Sequence, residues 1–223
     1  MATLYIVSTP IGNLKDITLR AIETLKSADY ILCEDTRMTG KLLNEFQIDK
    51  RMVAFNEFNE DSKAAPVLAD LQADRVIALV SDAGTPLVSD PGYKLVRDAI
   101  AKGIKVESIP GPSAVITALT VSGLAPDRFL FLGYLPKKEG KRKGLLLDIK
   151  KLRESFKSTV IFYESPFRLL KSLEDIKHVF GEVDVVICRE LTKMHEEIRR
   201  EKVTESIGYF SKTTPKGEIT ILL

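Results

Sequence analysis

The chain has 223 residues, 44% of them hydrophobic and 29% charged, enough for one large or two modest globular domains with their own cores. With 33 basic and 31 acidic residues the net charge is +2, which argues neither for nor against a nucleic-acid partner. No apolar run approaches the roughly 20 residues that cross a bilayer, no basic n-region opens the chain, and His178 and His195 stand alone, so no membrane span, secretory leader or metal site is expected.

Leu4–Val7 reads as a first buried strand, with the turn formers Pro10 and Gly12 in the loop Ser8–Asn13 at its carboxyl end. Ile17, Leu19, Ala21, Ile22 and Leu25 then predict a helix. Tyr30–Cys33 is a second strand running into Glu34-Asp35-Thr36-Arg37, where Asp35 or Thr36 suits the cap of a helix carrying Leu42, Leu43 and Phe46. Met52–Phe55 is a short third strand, followed by a helix with Ala64, Leu68 and Leu71. The run Val76–Val80 shows no alternation, the pattern of a central parallel strand buried on both faces. It ends in Ser81-Asp82-Ala83-Gly84-Thr85-Pro86, small residues that let a ligand approach the backbone. In the next turn, Ser89–Gly92, Asp90 suits an N-cap and Pro91 the first position of a helix marked by Leu95, Val96, Ala99 and Ile100 and stopped by Gly103. Lys105–Ile109 is the fifth strand. This alternation predicts a parallel, doubly wound α/β domain, in which ligands bind beyond the carboxyl ends of the strands.

Pro110-Gly111-Pro112-Ser113 makes a stiff turn and is the expected junction between domains 1–111 and 112–223, with Pro112 or Ser113 starting a helix over Ala114–Leu124. Arg128–Leu132 reads as a strand, Gly144–Leu152 as a helix and Ser158–Phe162 as a strand. Ser165 then suits an N-cap and Pro166 the start of a helix through Leu169, Leu170 and Leu173. Val183–Cys188 is strand-like, Glu205–Phe210 a short helix and Glu218–Leu223 a closing strand. No helix of convincing length lies between Leu124 and Gly144, so this sheet is expected to be mixed. Lys137, Lys138, Lys141, Arg142, Lys143, Lys150 and Lys151 outnumber Glu139 and Asp148 in their stretch, which fits either a solvated face or a phosphate-contacting patch. Cys33 and Cys188 lie in apolar runs, as buried reduced thiols of a cytoplasmic protein would. The chain stops inside the apolar run Ile219–Leu223, which fits a final strand or a chain trimmed of further sequence.

Neither a Walker loop nor a G-x-G-x-x-G or G-x-S-x-G signature occurs. What remains is a small-residue cleft without an obvious nucleophile, which suits a reaction driven by positioning a cofactor that already carries a reactive group. Ser8-Thr-Pro-Ile-Gly-Asn-Leu14, Glu34-Asp-Thr-Arg37, Ser81-Asp-Ala-Gly-Thr-Pro86 with Asp90-Pro-Gly92, Pro110-Gly-Pro112, Phe162-Tyr-Glu-Ser-Pro166 with Arg168, and Glu190-Leu-Thr-Lys193 occur in this order. Together they resemble the tetrapyrrole-methylase-like family of S-adenosylmethionine (SAM) enzymes, in the branch that modifies ribosomal RNA, over essentially the whole chain. Longer relatives carry a small helical C-terminal extension that this sequence lacks.

The resemblance implies a two-domain fold: a parallel doubly wound N-terminal domain, a mixed-sheet α/β C-terminal domain, SAM in the cleft between them, and a homodimer. It also implies methyl transfer to the ribose 2′-hydroxyl of a cytidine in the decoding region of 16S rRNA, within the small ribosomal subunit. Asp82, Ala83, Gly84 and Thr85 would line the methionine and ribose parts of SAM, and Ser113 and Ala114 would touch the same ligand. Tyr163, Leu191, Gly217 and Glu218 match positions that close over the adenine. Pro10, Gly12, Asn13, Asp35 and Arg37 fall on the wall expected to meet RNA, with Lys137, Lys138, Arg142, Arg168 and Lys193 as further substrate contacts. Glu34 or Glu164 is the expected acceptor for the 2′-hydroxyl, a poor nucleophile while protonated. Two other readings stay open: a methylase of a tetrapyrrole or other small molecule on the same scaffold, and a non-catalytic RNA-binding module with a vestigial cleft.

Overall fold

A computed structural model describes residues 2–213 and 215–223. The chain forms two compact units that divide between Ser113 and Ala114, two residues beyond the junction expected from the proline-rich turn. Unit 1 is built from β1 (Thr3–Val7), α1 (Leu19–Ser27), β2 (Tyr30–Cys33), α2 (Thr36–Glu45), β3 (Met52–Ala54), α3 (Glu60–Gln72), β4 (Val76–Leu79), α4 (Tyr93–Ala101) and β5 (Lys105–Ile109). Its strands lie in the order β3-β2-β4-β1-β5, every pairing parallel. A parallel sheet needs cover on both faces, and alternate side chains supply the two contacts. Leu4, Ile6, Ile77 and Leu79 pack with Leu68, Leu71, Leu95 and Ala99 of α3 and α4. Val7, Ile31, Cys33 and Ala78 pack with Ala21, Leu25 and Leu43 of α1 and α2. All five strands point one way, so the loops after β1, β2, β3, β4 and β5 emerge at one edge.

Unit 2 comprises α5 (Ala114–Ser122), β6 (Phe129–Tyr134), α6 (Glu139–Ser155), β7 (Thr159–Glu164), α7 (Leu169–Phe180), β8 (Asp184–Arg189), β9 (Glu197–Lys202), α8 (Val203–Phe210) and β10 (Ile219–Leu222). Its sheet runs β6-β7-β10-β8-β9, with β6 and β7 parallel and the remaining pairs antiparallel. The sheet is mixed, as expected, and β10 sits at its centre. Val160, Phe162, Val185, Ile187, Ile219 and Ile221 pack with Leu146 and Ile149 of α6, Leu169, Leu173 and Ile176 of α7, and Val203 and Phe210 of α8. Both cysteines are buried free thiols, and burial pushes Cys188 up to about 12 and raises Cys33. Among the described residues no helix is long and apolar enough to cross a membrane.

The elements depart from the sequence reading in several places, and α7 for one begins at Leu169 behind Arg168 rather than at Pro166 behind a Ser165 cap. Helix α6 starts at Glu139, five residues before the expected start, because Arg142 in its first turns is anchored in the interior. Strand β9, Glu197-Ile-Arg-Arg-Glu-Lys202, has no apolar alternation to announce it. Its charges are paired instead: Arg189 Nε donates to Glu197 at 2.9 Å, and Arg199 pairs with Glu201 at 2.6 Å while lying 3.7 Å over the Tyr209 ring. Charged side chains also protect a sheet edge from pairing with another chain. Helix α4 is preceded by Gly92 at φ 119°, not capped by Asp90.

Candidate functional site

The carboxyl-edge loops of unit 1 are tied to one another by backbone and hydroxyl groups. Thr9 and Gly84 exchange both backbone hydrogen bonds, at 2.9 and 3.1 Å, joining the loops after β1 and β4. Thr9 Oγ1 donates to the Ser81 carbonyl at 3.2 Å, Ser8 Oγ to Thr85 Oγ1 at 3.2 Å, and Thr85 Oγ1 to the Pro112 carbonyl at 3.2 Å. The Asp35 N–H donates to Asp82 Oδ1 at 3.0 Å, bringing in the loop after β2. Thus the structure gathers Asp82, Ala83, Gly84, Thr85, Glu34 and Asp35 around adjacent strand ends. Gly84 has φ 84°, and a Cβ there would lie 3.2 Å from Ile11 Cγ2, so glycine keeps both the turn and the close approach.

Among the described residues six non-glycines have positive φ, and four fall in two motif loops: Leu87 at 74° and Ser89 at 69°, then Glu190 at 53° and Thr192 at 65°. Strain of this kind persists only where the surroundings over-determine it, and it concentrates at functional sites.

The charges beside β4 are unequal in role. Asp35 caps α2 and accepts from the Arg37 N–H at 2.8 Å, and the Arg37 guanidinium holds its carboxyl at about 2. Asp35 is thus a cap and an ion-pair partner rather than a proton acceptor. Glu34 is half-buried and has no hydrogen-bond or ion-pair partner among the described residues. Burial raises it above the usual carboxylate range, and the nearby charges of Asp82, Asp90, Glu57 and Asp35 push the same way. Asp82 is raised chiefly by burial, and Asp90 is raised to about 6 for the same reason, opposed by a hydrogen bond with Ser81. Asp90 is the member of this group that sequence reasoning placed elsewhere. The Gly immediately after Asp90-Pro91 is the signal, since a left-handed Gly92 takes the position before the helix.

On the β1 loop, Pro10 is buried, Gly12 and Asn13 are exposed, and Asn13 caps a 3-10 turn at Leu14–Asp16 by accepting from the Lys15 N–H at 3.1 Å. Ser113 and Ala114 are half-buried on either side of the division between units.

In unit 2 several expected contacts are committed to the fold. Arg142, expected at a phosphate, is buried and pairs with buried Asp175 at 2.6 Å, with further bonds to the Pro136 and Lys137 carbonyls. Glu164, expected as a proton acceptor, is 2% exposed and saturated: it accepts from the Ser165 N–H at 2.7 Å and Ser172 Oγ at 2.5 Å, and pairs with Arg168 at 2.5 Å. Arg168 also donates to the Leu135 carbonyl at 2.9 Å. Both are corrected to structural roles, because each would have to break a buried network to meet a substrate. Lys193 bridges Glu190 and Glu218 at 2.8 and 2.9 Å. Lys137 and Lys138 remain exposed at the start of α6.

The loop after β8 is a second built structure. Glu190 Oε1 accepts from the Glu218 N–H at 3.0 Å, and the Glu190 N–H donates to the Glu218 carbonyl at 2.9 Å. A Cβ on Gly217, at φ 85°, would collide with the Glu190 carboxyl. Leu191 is buried, Tyr163 half-buried and Glu218 exposed, while the Thr192 hydroxyl is buried with no partner among the described residues. Sequence reasoning noted Glu190 and Thr192 only as motif letters, since backbone strain and an orphan hydroxyl leave no trace in composition.

Comparison with known proteins places the chain in a family. The family of Tetrapyrrole (Corrin/Porphyrin) Methylases matches residues 3–206. The chain is 47% identical to the ribosomal RNA small subunit methyltransferase I of Thermotoga maritima, over 100% of this chain and 98% of that one. It is 48% identical to the protein of the same name from Halalkalibacterium halodurans, over 99% of this chain and 75% of that one. Among solved structures, a diphthine synthase superposes with a TM-score of 0.76 at 15% identity, covering 99% of this chain and 89% of that one. A uroporphyrin-III C-methyltransferase from Thermus thermophilus gives 0.66 at 18%, covering 100% and 94%. At such identities these two speak for the fold alone. The chain belongs to the tetrapyrrole (corrin/porphyrin) methylase family, and within it to the ribosomal RNA small subunit methyltransferase I group.

Proposed function

We propose that the chain transfers a methyl group from SAM to 16S ribosomal RNA, at the ribose 2′-hydroxyl of a cytidine in the decoding region. The observation that carries this reading is the meeting of Glu34, a half-buried carboxylate without a partner among the described residues, with the small-residue loop Asp82–Thr85 after the adjacent strand. When bound, SAM supplies a methyl group on a positively charged sulfur. The residues present suit such a donor. Asp82 offers a carboxyl to cationic or hydroxyl groups, Ala83 and Gly84 leave the backbone open, and the carboxylates of Glu34, Asp82 and Asp90 favour a cation over a phosphate. Tyr163, Leu191, Gly217 and Glu218 keep the adenine-side assignments that the family resemblance gives them, and Ser113 and Ala114 keep their contact with the same ligand.

Glu34 takes the proton of the 2′-hydroxyl, the role its raised proton affinity suits best. The carboxylates of Glu34, Asp82 and Asp90 repel phosphates, so the RNA backbone is met by other groups: Lys137 and Lys138 on α6, and Gly12, Asn13 and Arg37, exposed on the loops after β1 and β2, with Pro10 shaping the first of these. A homodimer is part of the same proposal, and sedimentation of the free chain measures it.

The test is transfer of labelled methyl from SAM to purified small subunits lacking their own modification, with a tetrapyrrole mixture alongside. Label at a cytidine 2′-oxygen is the expected result. Glu34→Gln should retain SAM binding and lose about 10²- to 10⁴-fold in kcat. Label in the tetrapyrroles and none in RNA would instead make the chain a small-molecule methylase.

A further inference from the structure

Unit 2 contains a cavity of about 760 Å³ at the edge of its sheet where β7 begins, opposite the edge carrying the Glu164–Arg168 and Glu190–Lys193 loops. Its lining comes from the α5–β6 connection, the end of α6, the start of β7 and Leu223. Three cationic side chains line it, Arg128, Arg153 and Lys157, against one acidic side chain, Asp127, and the terminal residue Leu223. None of the three has a carboxylate partner among the described residues; the Arg128 guanidinium lies 5.5 Å over the Phe156 ring. Ser158, also in the lining, is 8% exposed, and its hydroxyl is buried without a partner among the described residues.

A buried hydroxyl left unpaired is costly, and an unpaired guanidinium in a half-buried place is equally unusual. Burial alone pulls Arg153 below its ordinary value, with no neighbouring charge to offset it. A single ligand relieves both defects if it is an anion whose oxygens accept from a hydroxyl and a guanidinium together, as those of a phosphate do. The volume exceeds that of a lone anion and lies in the range of sites that hold a ligand of nucleotide size. We propose that this cavity is a phosphate-binding site, in which Arg153, Lys157 and the Ser158 hydroxyl hold the phosphate group of a nucleotide unit.

The site is tested apart from methyl transfer, with inorganic phosphate as the probe. The full chain, Ser158→Ala and Arg153→Gln/Lys157→Gln are titrated with phosphate at constant ionic strength, and saturable binding is read by phosphorus NMR. Wild type should bind, and the double variant should bind about tenfold more weakly or worse. Ser158→Ala should also bind more weakly, yet melt no lower than wild type in the absence of phosphate, since it removes only an unpartnered group. That combination distinguishes loss of a ligand from loss of the fold. In parallel, affinity for a 16S rRNA fragment is measured against salt. If the phosphate belongs to RNA, the slope of log K on log salt falls by about 0.7 for each contact removed. An unchanged slope with lost phosphate binding assigns the site to a free phosphorylated ligand. Absence of saturable phosphate binding, or binding unaltered in the variants, overturns the proposal. Should wild type fail to methylate RNA, the reading of its reaction falls while the phosphate titration still decides this site.

Discussion

The buried Arg142–Asp175 pair allows a sharp separation of stability from RNA binding. Arg142 is 5% exposed and contacts Asp175 through both Nε and Nη2 at 2.6 Å, while its Nη1 serves two carbonyls that precede α6. Arg142→Met keeps the aliphatic stem and strands a buried carboxylate. Breaking a buried pair in this way costs about 3–5 kcal/mol. Here Lys143 Nζ stands 3.5 Å from the other Asp175 oxygen and retains part of the compensation, so the lower end, about 3 kcal/mol, is expected. Because two units need not unfold together, a single melting temperature is the wrong readout. Urea-dependent hydrogen exchange of amides in α6 and α7 isolates unit 2. Arg142→Met/Asp175→Leu should recover most of the loss, since neither charge is then left alone. The salt dependence of RNA binding should be unchanged in both. If Arg142→Met altered stability by less than about 0.5 kcal/mol and lowered the RNA salt slope, the residue would be a phosphate contact after all.

Three further outcomes follow from the carboxyl-edge loops of unit 1. Asp90 is held near 6 against 3.8, so between about pH 4 and 6 the folded chain keeps a proton that the unfolded chain releases, and stability declines as pH rises through that window. Asp90→Asn should therefore be more stable than wild type at pH 7.5, by about 1 kcal/mol after discounting for its partial exposure, and indistinguishable below pH 4; a constant difference across the range would contradict the assignment. Glu34 must be ionised to take a proton, so the acid limb of kcat should lie above the 4.5 of an ordinary glutamate, and the residual activity of Glu34→Gln should lack that limb. Gly92→Ala should cost about 2–3 kcal/mol in denaturant unfolding, because a Cβ at φ 119° would stand 2.7 Å from Leu87 Cδ2 and 2.8 Å from Leu79 Cδ2.

Much of unit 1 was legible because its signals are local. An unbroken apolar run gave β4, and each small-residue loop at a strand end gave one piece of the site. Asp35 read correctly as a cap because an Asx side chain before a helix acts over two residues. What escaped depends on partners distant in the chain. Arg142 looks like one basic residue among seven until Asp175, 33 positions later, is placed against it. Strand β9 carries no apolar pattern, since its stability comes from ladder pairing with β8 and from ion pairs that composition reads as solvated surface. Glu164 resembled a catalytic carboxylate by its motif, and only the hydroxyl of Ser172 and the guanidinium of Arg168 reveal that its lone pairs are spent.

The central place of β10 has a consequence for the order in which the chain acquires structure. The pair β6–β7 and the hairpin β8–β9 are each close in sequence, yet neither pairs with the other; in the sheet the segment Ile219–Leu222 stands between them, bonding β7 on one side and β8 on the other. On a growing polypeptide unit 1 holds all its own strands and can fold early, whereas the second sheet exists only as two unlinked halves until these residues leave the ribosome. Each half meanwhile shows an open edge where β10 belongs, so the interval before its arrival is when this protein is most exposed to pairing with the wrong chain.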